Sequence, residues 1–464
     1  MQMMASPACS RCVVLAEELE ALRAQNTELR AQLDMLQGSK RMAARSQEEH
    51  TEENLPETST FSSFSRTELQ RYGRQMLVKE FGVKAQLKLR AASVLLIGVG
   101  GLGSPVAMYL AAMGVGTLAI VDGDHIDRSN LHRQILHDDQ GARERQMKVE
   151  SAKRRLLELN PLLKCVVYPT RFTTANASKL VEEYDVVVDA TDNVSTRYLV
   201  NGTCSRLRKP LVSGSALGLE GQVTVFTYEN DEHSTGCYRC LYPTPPKVAM
   251  SCTENGVIGV VPGVIGCLQA METVKVITGV GEPLIGVQCF YDAYDGQFRR
   301  LKIGKKRNPE CLSCGDQKTT ALDASLFFEG NCSDGVELVD SLGPEFRIST
   351  EEFAKVRNAA GKEGHAYALL DTRAATQFDM VHFPEAVNIP TAQLVKQEPN
   401  QVIKNLQGIA PSLKRTFVIC RRGVDSVKVT KWLVDHGMQN VFNINGGYTE
   451  YAKESGVDPT FPMY

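Results

Sequence analysis

The sequence predicts an α/β protein. A larger unit with a mostly parallel sheet is followed by a smaller α/β unit and preceded by a short coiled coil. Three observations carry this expectation. Short β-branched runs alternate with helical stretches between residues 93 and 189. The same alternation returns, on a smaller scale, beyond a polar stretch at residues 316–345. Leucines repeat every seven residues near the amino terminus. Strands alternating with helices imply parallel pairing through right-handed crossovers. The chain has 464 residues, 43% of them hydrophobic, so at roughly 150 residues per domain it has material for about three units.

In chain order, Leu15, Leu22, Leu29 and Leu36 occupy one seam position, with Leu19, Asn26 and Leu33 at the other. This spacing fits a parallel two-stranded coiled coil in which Asn26 sets the register, or a single amphipathic helix. Residues 1–45 are assigned to this helix and residues 46–65, rich in Ser, Thr and Glu, to a linker. The large unit spans 66–315, with strands expected at 93–98, 118–122, 165–168 and 185–189. Residues 222–228 (QVTVFTY) alternate like an antiparallel strand, and 259–278 read as a helix after a glycine-rich turn. Residues 316–345 form a second linker, and 346–464 the small unit. Its strands are expected at 368–370, 416–419 and 441–444, with a helix at 426–436.

Composition narrows the function. There are 52 basic and 54 acidic side chains, a net charge of −2, which argues against a generic nucleic-acid binder. No run approaches the ~20 apolar residues of a membrane span, and no basic flank followed by an apolar stretch marks a secretory signal at residues 1–12. Thirteen cysteines, an odd number with several in close pairs, suit a reducing compartment, where such pairs bind metal or handle sulfur. A cytosolic location is expected.

Gly98, Gly100, Gly101 and Gly103 follow the first strand and open a helix, a turn whose backbone N–H groups and helix dipole receive phosphate. Asp122 ends the next strand, where a carboxylate accepts hydrogen bonds from ribose hydroxyls. The glycines leave open a dinucleotide or ATP. Arg133 and Lys148 add two cations suited to a triphosphate, and Asp192 with Asn193 lies at a strand's carboxyl end, where an acid can hold Mg²⁺. Together with Arg71, Gly73, Arg74, Gln75, Asp124, Ser129, Asn130, Leu131, His132 and Gln134, these residues resemble the E1-like adenylating enzymes over about residues 66–315. The resemblance implies a Rossmann-like adenylating domain that joins a ubiquitin-like protein's carboxy-terminal glycine to AMP. It also implies ATP and Mg²⁺ contacts from Gly101, Asp122, Ser129, Asn130, Leu131, His132, Arg133, Lys148, Asp192 and Asn193. The enzyme would be a homodimer, with Arg74 reaching the partner's nucleotide.

Cys237 and Cys240 form one CxxC pair, Cys311 and Cys314 another. Four thiolates from two knuckles match a closed tetrahedral Zn²⁺ site, one ion per subunit; the rival is a redox pair, without a thioredoxin pattern to support it. Cys252 lies between the pairs in a polar segment, where a thiol can be a nucleophile or simply tolerated. In the resembling family a cysteine in this loop is a proposed acyl acceptor.

Cys420 ends a strand and is followed by Arg421, Arg422, Gly423 and a helix, a cradle of N–H groups that favours an anionic sulfur or a terminal perthiolate. A cysteine phosphatase would need arginine where Ser426 stands and usually histidine where Ile419 stands. Asp371, Arg373, His382, Pro384, Asn388, Pro390, Cys420, Gly423, Asp425, Gly446, Gly447 and Tyr448 make residues 346–458 resemble a rhodanese domain, with Cys420 as the persulfide carrier. Asp425 is similar to the variant seen when a protein receives the sulfur.

The fused pair resembles the adenylyltransferase and sulfurtransferase group that serves small sulfur carriers ending in Gly-Gly. Such carriers are the ubiquitin-related modifier and the small subunit of molybdopterin synthase. This implies roles in wobble-uridine 2-thiolation of tRNA and in molybdenum cofactor synthesis, with a cysteine desulfurase or other donor supplying sulfur. The alternative is an activator of ubiquitin-like conjugation whose rhodanese unit only docks partners. Neither reading calls for membrane or direct nucleic-acid contact.

Overall fold

The computed structural model describes residues 63–228, 235–245, 256–303, 307–315, 342–363, 367–398, 401–402, 404, 415–453 and 461. The heptads at 12–37, most of both linkers and Cys252 lie outside these residues. The chain divides into Met1–Val78 and Lys79–Tyr464. In the first unit, the described helix is Arg66–Met76. Ser65 caps it, taking the Glu68 N–H while the Glu68 carboxylate takes the Ser65 N–H.

In the second unit, the larger sheet has eight strands. They are β1 (Ser93–Ile97), β2 (Thr117–Val121), β3 (Lys164–Tyr168), β4 (Val186–Asp189), β5 (Leu211–Leu217), β6 (Glu220–Phe226), β7 (Val287–Asp292) and β8 (Gln297–Lys302), in the order β3-β2-β1-β4-β5-β6-β7-β8. The first five are parallel; β6, β7 and β8 pair antiparallel. β1 sits centrally, Leu96 facing Ile120 on one side and Val188 on the other. Helices cover both faces of such a sheet, so its strands read as continuous apolar runs (SVLLI, VVVD). Leu96 is fully buried, and truncating it to alanine would cost about 3 kcal/mol. The chain leaves β1 for β2 on one side and later returns to β4 on the other. The carboxyl ends of β1 and β4 therefore form a switch point, where open parallel sheets hold ligands.

The second sheet is all parallel: β9 (Arg347–Ile348), β10 (Tyr367–Asp371), β11 (Ala386–Asn388), β12 (Arg415–Ile419) and β13 (Val441–Ile444), in the order β11-β10-β12-β13-β9. One face packs an aromatic cluster of Phe353, Tyr367, Phe383, Phe417, Tyr448 and Tyr451. Phe353 meets Phe417 edge-on at 5.2 Å, the geometry the ring quadrupoles favour. Central β12 runs directly into Cys420.

The expectation about apolar runs needs one correction. Among the described residues, the Val260–Thr278 helix is long and apolar enough to cross a membrane. It packs on the Gly103–Met113 helix and on β5 and β6, and buries Gln269, Glu272 and Thr273, as a core helix does.

Candidate functional site

A cavity of about 390 Å³ opens at the switch point. Its wall includes Gly101, Asp122, Arg133, Lys148, Asp192 and Asn193. The glycine turn closes tightly because a Cβ on Gly103 would collide with the Gly98 carbonyl oxygen. Asp122 is tied into that turn: one carboxylate oxygen accepts the Val99 N–H at 3.0 Å, the other the Asp124 N–H at 2.9 Å. A carboxylate has about four acceptor sites, so Asp122 keeps capacity for ribose hydroxyls.

Lys148 opens the Lys148–Leu159 helix, and its ammonium is 3.1 Å from Asp124 with only 8% of the side chain exposed. Asp124 also meets Arg171 at 3.5 Å, and Arg171 lines the same cavity. Arg133 projects from a turn built by Ser129, Asn130, Leu131 and His132. There Asp127 accepts both the Ser129 hydroxyl at 2.6 Å and its N–H at 2.8 Å. These two bonds, the hydroxyl first, hold Asp127 below the usual carboxylate range. His132 Nδ1 lies 2.9 Å from the Ser129 carbonyl, which leaves Nε2 to accept from Arg133 at 3.2 Å.

Asn193 caps the Val194–Leu207 helix, its side-chain oxygen accepting the Thr196 N–H at 3.1 Å and the Ser195 hydroxyl at 2.6 Å. The cap is therefore Asn193, and neighbouring Asp192 is exposed on the cavity wall. Below this loop Asp189, fully buried, pairs with Arg197 at 3.1 Å, and Arg197 donates onward to the Thr191 and Gly214 carbonyls, each at 2.9 Å. The pair fixes the backbone from which Asp192 projects. On the other side, His137 supports the glycine turn by donating from Nε2 to the Val99 carbonyl at 3.0 Å. Burial pushes this imidazole below its ordinary value, against the pull of that carbonyl.

The sulfurs of Cys237, Cys240, Cys311 and Cys314 lie within 4.8 Å of one another. Three of the separations are 3.3, 3.6 and 3.9 Å. Tetrahedral Zn²⁺ with Zn–S bonds of about 2.3 Å needs sulfurs about 3.8 Å apart, so the donor set and spacing fit that ion. Elsewhere burial pushes Cys165 up to about 11 and Cys204 higher still, so both stay protonated and inert.

Cys420 is 3% exposed, and its Sγ lies 3.2 Å from the Gly423 N–H and 3.2 Å from the Ser426 hydroxyl. Gly423 has φ +79°, and a Cβ there would come within 2.6 Å of the Gly446 nitrogen; only glycine closes this loop. The Tyr448 N–H donates to the Cys420 carbonyl at 3.0 Å. Arg373 stacks on the Tyr448 ring at 3.9 Å while bonding the buried Asp371 carboxylate through two nitrogens.

Residues 72–313 match the ThiF family, and residues 352–454 match the rhodanese-like domain. A maize protein, "Adenylyltransferase and sulfurtransferase MOCS3-2", is 42% identical over 85% of this chain and 80% of its own length. The pig "Adenylyltransferase and sulfurtransferase MOCS3" is 38% identical over 97% of this chain and 99% of its own. The chain belongs to this adenylyltransferase and sulfurtransferase family. Among solved structures, E. coli MccB with MccA-N7isoASN is 24% identical, with a TM-score of 0.48 over 56% of this chain and 76% of that one.

As a family member the protein is a transferase with an ATP-binding ThiF-type fold and a rhodanese domain. The structure brings Gly101, Asp122, Arg133, Lys148, Asp192 and Asn193 onto one cavity. Ser129, Asn130, Leu131 and His132 are not on its wall; they form the turn behind Arg133. Arg74 lies exposed in the last turn of the Arg66–Met76 helix. Arg171 escaped sequence reasoning because nothing in a lone arginine after a strand signals a cavity. Asp124 stood in the matched pattern, but its bond to Lys148 depends on the turn.

Proposed function

We propose that the chain adenylates the carboxy-terminal glycine of a ubiquitin-like sulfur carrier and then converts it to a thiocarboxylate. One observation supports this most directly: a single chain carries both a cavity with a ribose-type carboxylate and three cations, and a buried cysteine sulfur held by two donors. The carrier carboxylate attacks the α-phosphorus of ATP and pyrophosphate leaves. Arg133 and Lys148 neutralise charge that builds on the phosphates, while Asp122 fixes the ribose and Gly101 lets the backbone approach. Asp192 would offer a hard oxygen to Mg²⁺, and the ion would supply positive charge beside the phosphates. Arg74 enters the nucleotide site of a second subunit in a homodimer, and the Ser129–His132 turn aims Arg133.

The Cys420 perthiolate then attacks the acyl carbon, expelling AMP and leaving an acyl disulfide. A further thiol, Cys252 or an external one, attacks the Cys420 sulfur. The carrier departs as thiocarboxylate and a disulfide to Cys420 remains. Cys252 also suits direct capture of the acyl group. Cys237, Cys240, Cys311 and Cys314 hold one Zn²⁺ that fastens residues 311–314 to 237–240; with four protein ligands the site serves stability. The carriers are the ubiquitin-related modifier and the small subunit of molybdopterin synthase, for tRNA thiolation and molybdenum cofactor synthesis in the cytosol. A cysteine desulfurase or similar donor provides the sulfur.

ATP–pyrophosphate exchange tests the first half. Exchange should require a carrier ending in Gly-Gly and collapse in Asp192→Ala, yet persist in Cys420→Ala. Exchange without the carrier, or lost with Cys420, counts against the reading.

A further inference from the structure

Ser426 is fully buried at the second position of the Asp425–Asp435 helix, with its hydroxyl 3.2 Å from Cys420 Sγ. Serine on a helix commonly turns its hydroxyl back to a backbone carbonyl one turn earlier. Here the O–H is directed at sulfur. A neutral thiol is a weak acceptor and repays that choice poorly. A thiolate converts the same contact into a charge-assisted hydrogen bond, roughly twice as strong. The Gly423 N–H supplies the second donor at the same distance, and Thr430 donates to the Ser426 carbonyl at 2.8 Å, which steadies the serine backbone.

We infer that Ser426 is a catalytic residue of the sulfur transfer, its hydroxyl holding negative charge on Cys420 Sγ as that atom takes sulfur from the donor. The inference rests on Cys420 being the sulfur-carrying residue. In the loading step the Cys420 thiolate attacks the outer sulfur of a persulfide, R–S–SH. A sulfur–sulfur bond forms on Cys420, the donor's sulfur–sulfur bond breaks, and R–S⁻ leaves with the electron pair. The outer sulfur keeps its proton or yields it to solvent, and no external oxidant is required. The hydroxyl acts on the attacking atom and vanishes from the reaction balance, as an electrostatic donor should.

The test uses the full chain with cysteine persulfide as donor, quenched with iodoacetamide across a pH series and read by mass spectrometry of the Cys420 peptide. Ser426→Ala should fold, since alanine is smaller and a better helix former; an unchanged circular-dichroism melt checks this. In that variant the pH midpoint for loading and alkylation should rise by about one unit, with loading near neutral pH about tenfold slower. Ser426→Thr, which keeps the hydroxyl, should restore both. A midpoint that stays put in Ser426→Ala overturns the inference, even if loading slows equally at every pH, because uniform slowing is a packing effect. No added sulfur on Cys420 in the unaltered chain overturns the carrier reading itself, and this inference with it.

Discussion

Asp122 and Lys148 line the same cavity, and in the proposed reaction they act on different parts of a nucleotide. Asp122 already orders the glycine turn through Val99 and would add only ribose contacts, made equally in ground and transition states. Asp122→Ala should therefore raise the KM for ATP about tenfold, the worth of one or two charge-assisted hydrogen bonds, with little change in kcat. In the proposed reaction Lys148 meets charge that grows as pyrophosphate leaves. Lys148→Met should lower kcat for pyrophosphate exchange by about a hundredfold. Steady-state exchange kinetics separate the two outcomes. Asp122 and Lys148 were legible as single letters because a glycine turn, a strand-end acid and a helix-opening lysine occur in order. The parts played by Asp124, Arg171 and Ser426 are not legible in this way. Their contacts arise from turns that bring side chains together, and no spacing rule encodes them.

At the scale of elements, the loops that carry chemistry are held by buried polar pairs beneath them. Arg197 joins the end of β4 to the Asp192 loop and to β5. Arg197→Ala strands the fully buried Asp189 carboxylate and should cost about 3 kcal/mol or more, visible as a lower Tm. His137 under the glycine turn gives stability a pH dependence. Its folded pKa lies below the unfolded value, so between the two the unfolded chain binds more protons. The contribution is full above the ordinary histidine value and falls as pH drops through it toward the folded pKa. Melting measured from pH 8 to 5 should show this loss, reduced in His137→Gln. The strands of the Rossmann-like core were legible because burial on both faces leaves continuous β-branched runs. β8, with all six residues exposed, and β9, with two residues, carry no such pattern, and pairing alone defines them.

At the scale of the whole molecule, the cysteines divide by environment. Cys165 and Cys204 are silenced by burial, four sulfurs converge on a metal-sized space, and Cys420 meets two donors. The four-sulfur cluster joins residues 237–240 to residues 311–314, far apart in sequence. Removing its metal with a chelator should release about one Zn²⁺ per chain and lower the Tm of the ThiF-type domain. A metal-free preparation with unchanged melting would contradict that role. The CxxC spacing made the cluster legible, since two knuckles of the right type have few other uses. Cys252 falls outside the described residues, and its part in the reaction is a matter for acyl trapping.

In the proposed function one chain both activates a carrier carboxylate and replaces its oxygen with sulfur carried on Cys420. Incubating the protein with ATP, a persulfide donor, a thiol reductant and a carrier ending in Gly-Gly, then weighing the carrier, tests it directly. The expected carrier mass is shifted by one oxygen replaced with one sulfur, a shift lost in Cys420→Ala while pyrophosphate exchange survives. Thiocarboxylate formed at an undiminished rate by Cys420→Ala would contradict it.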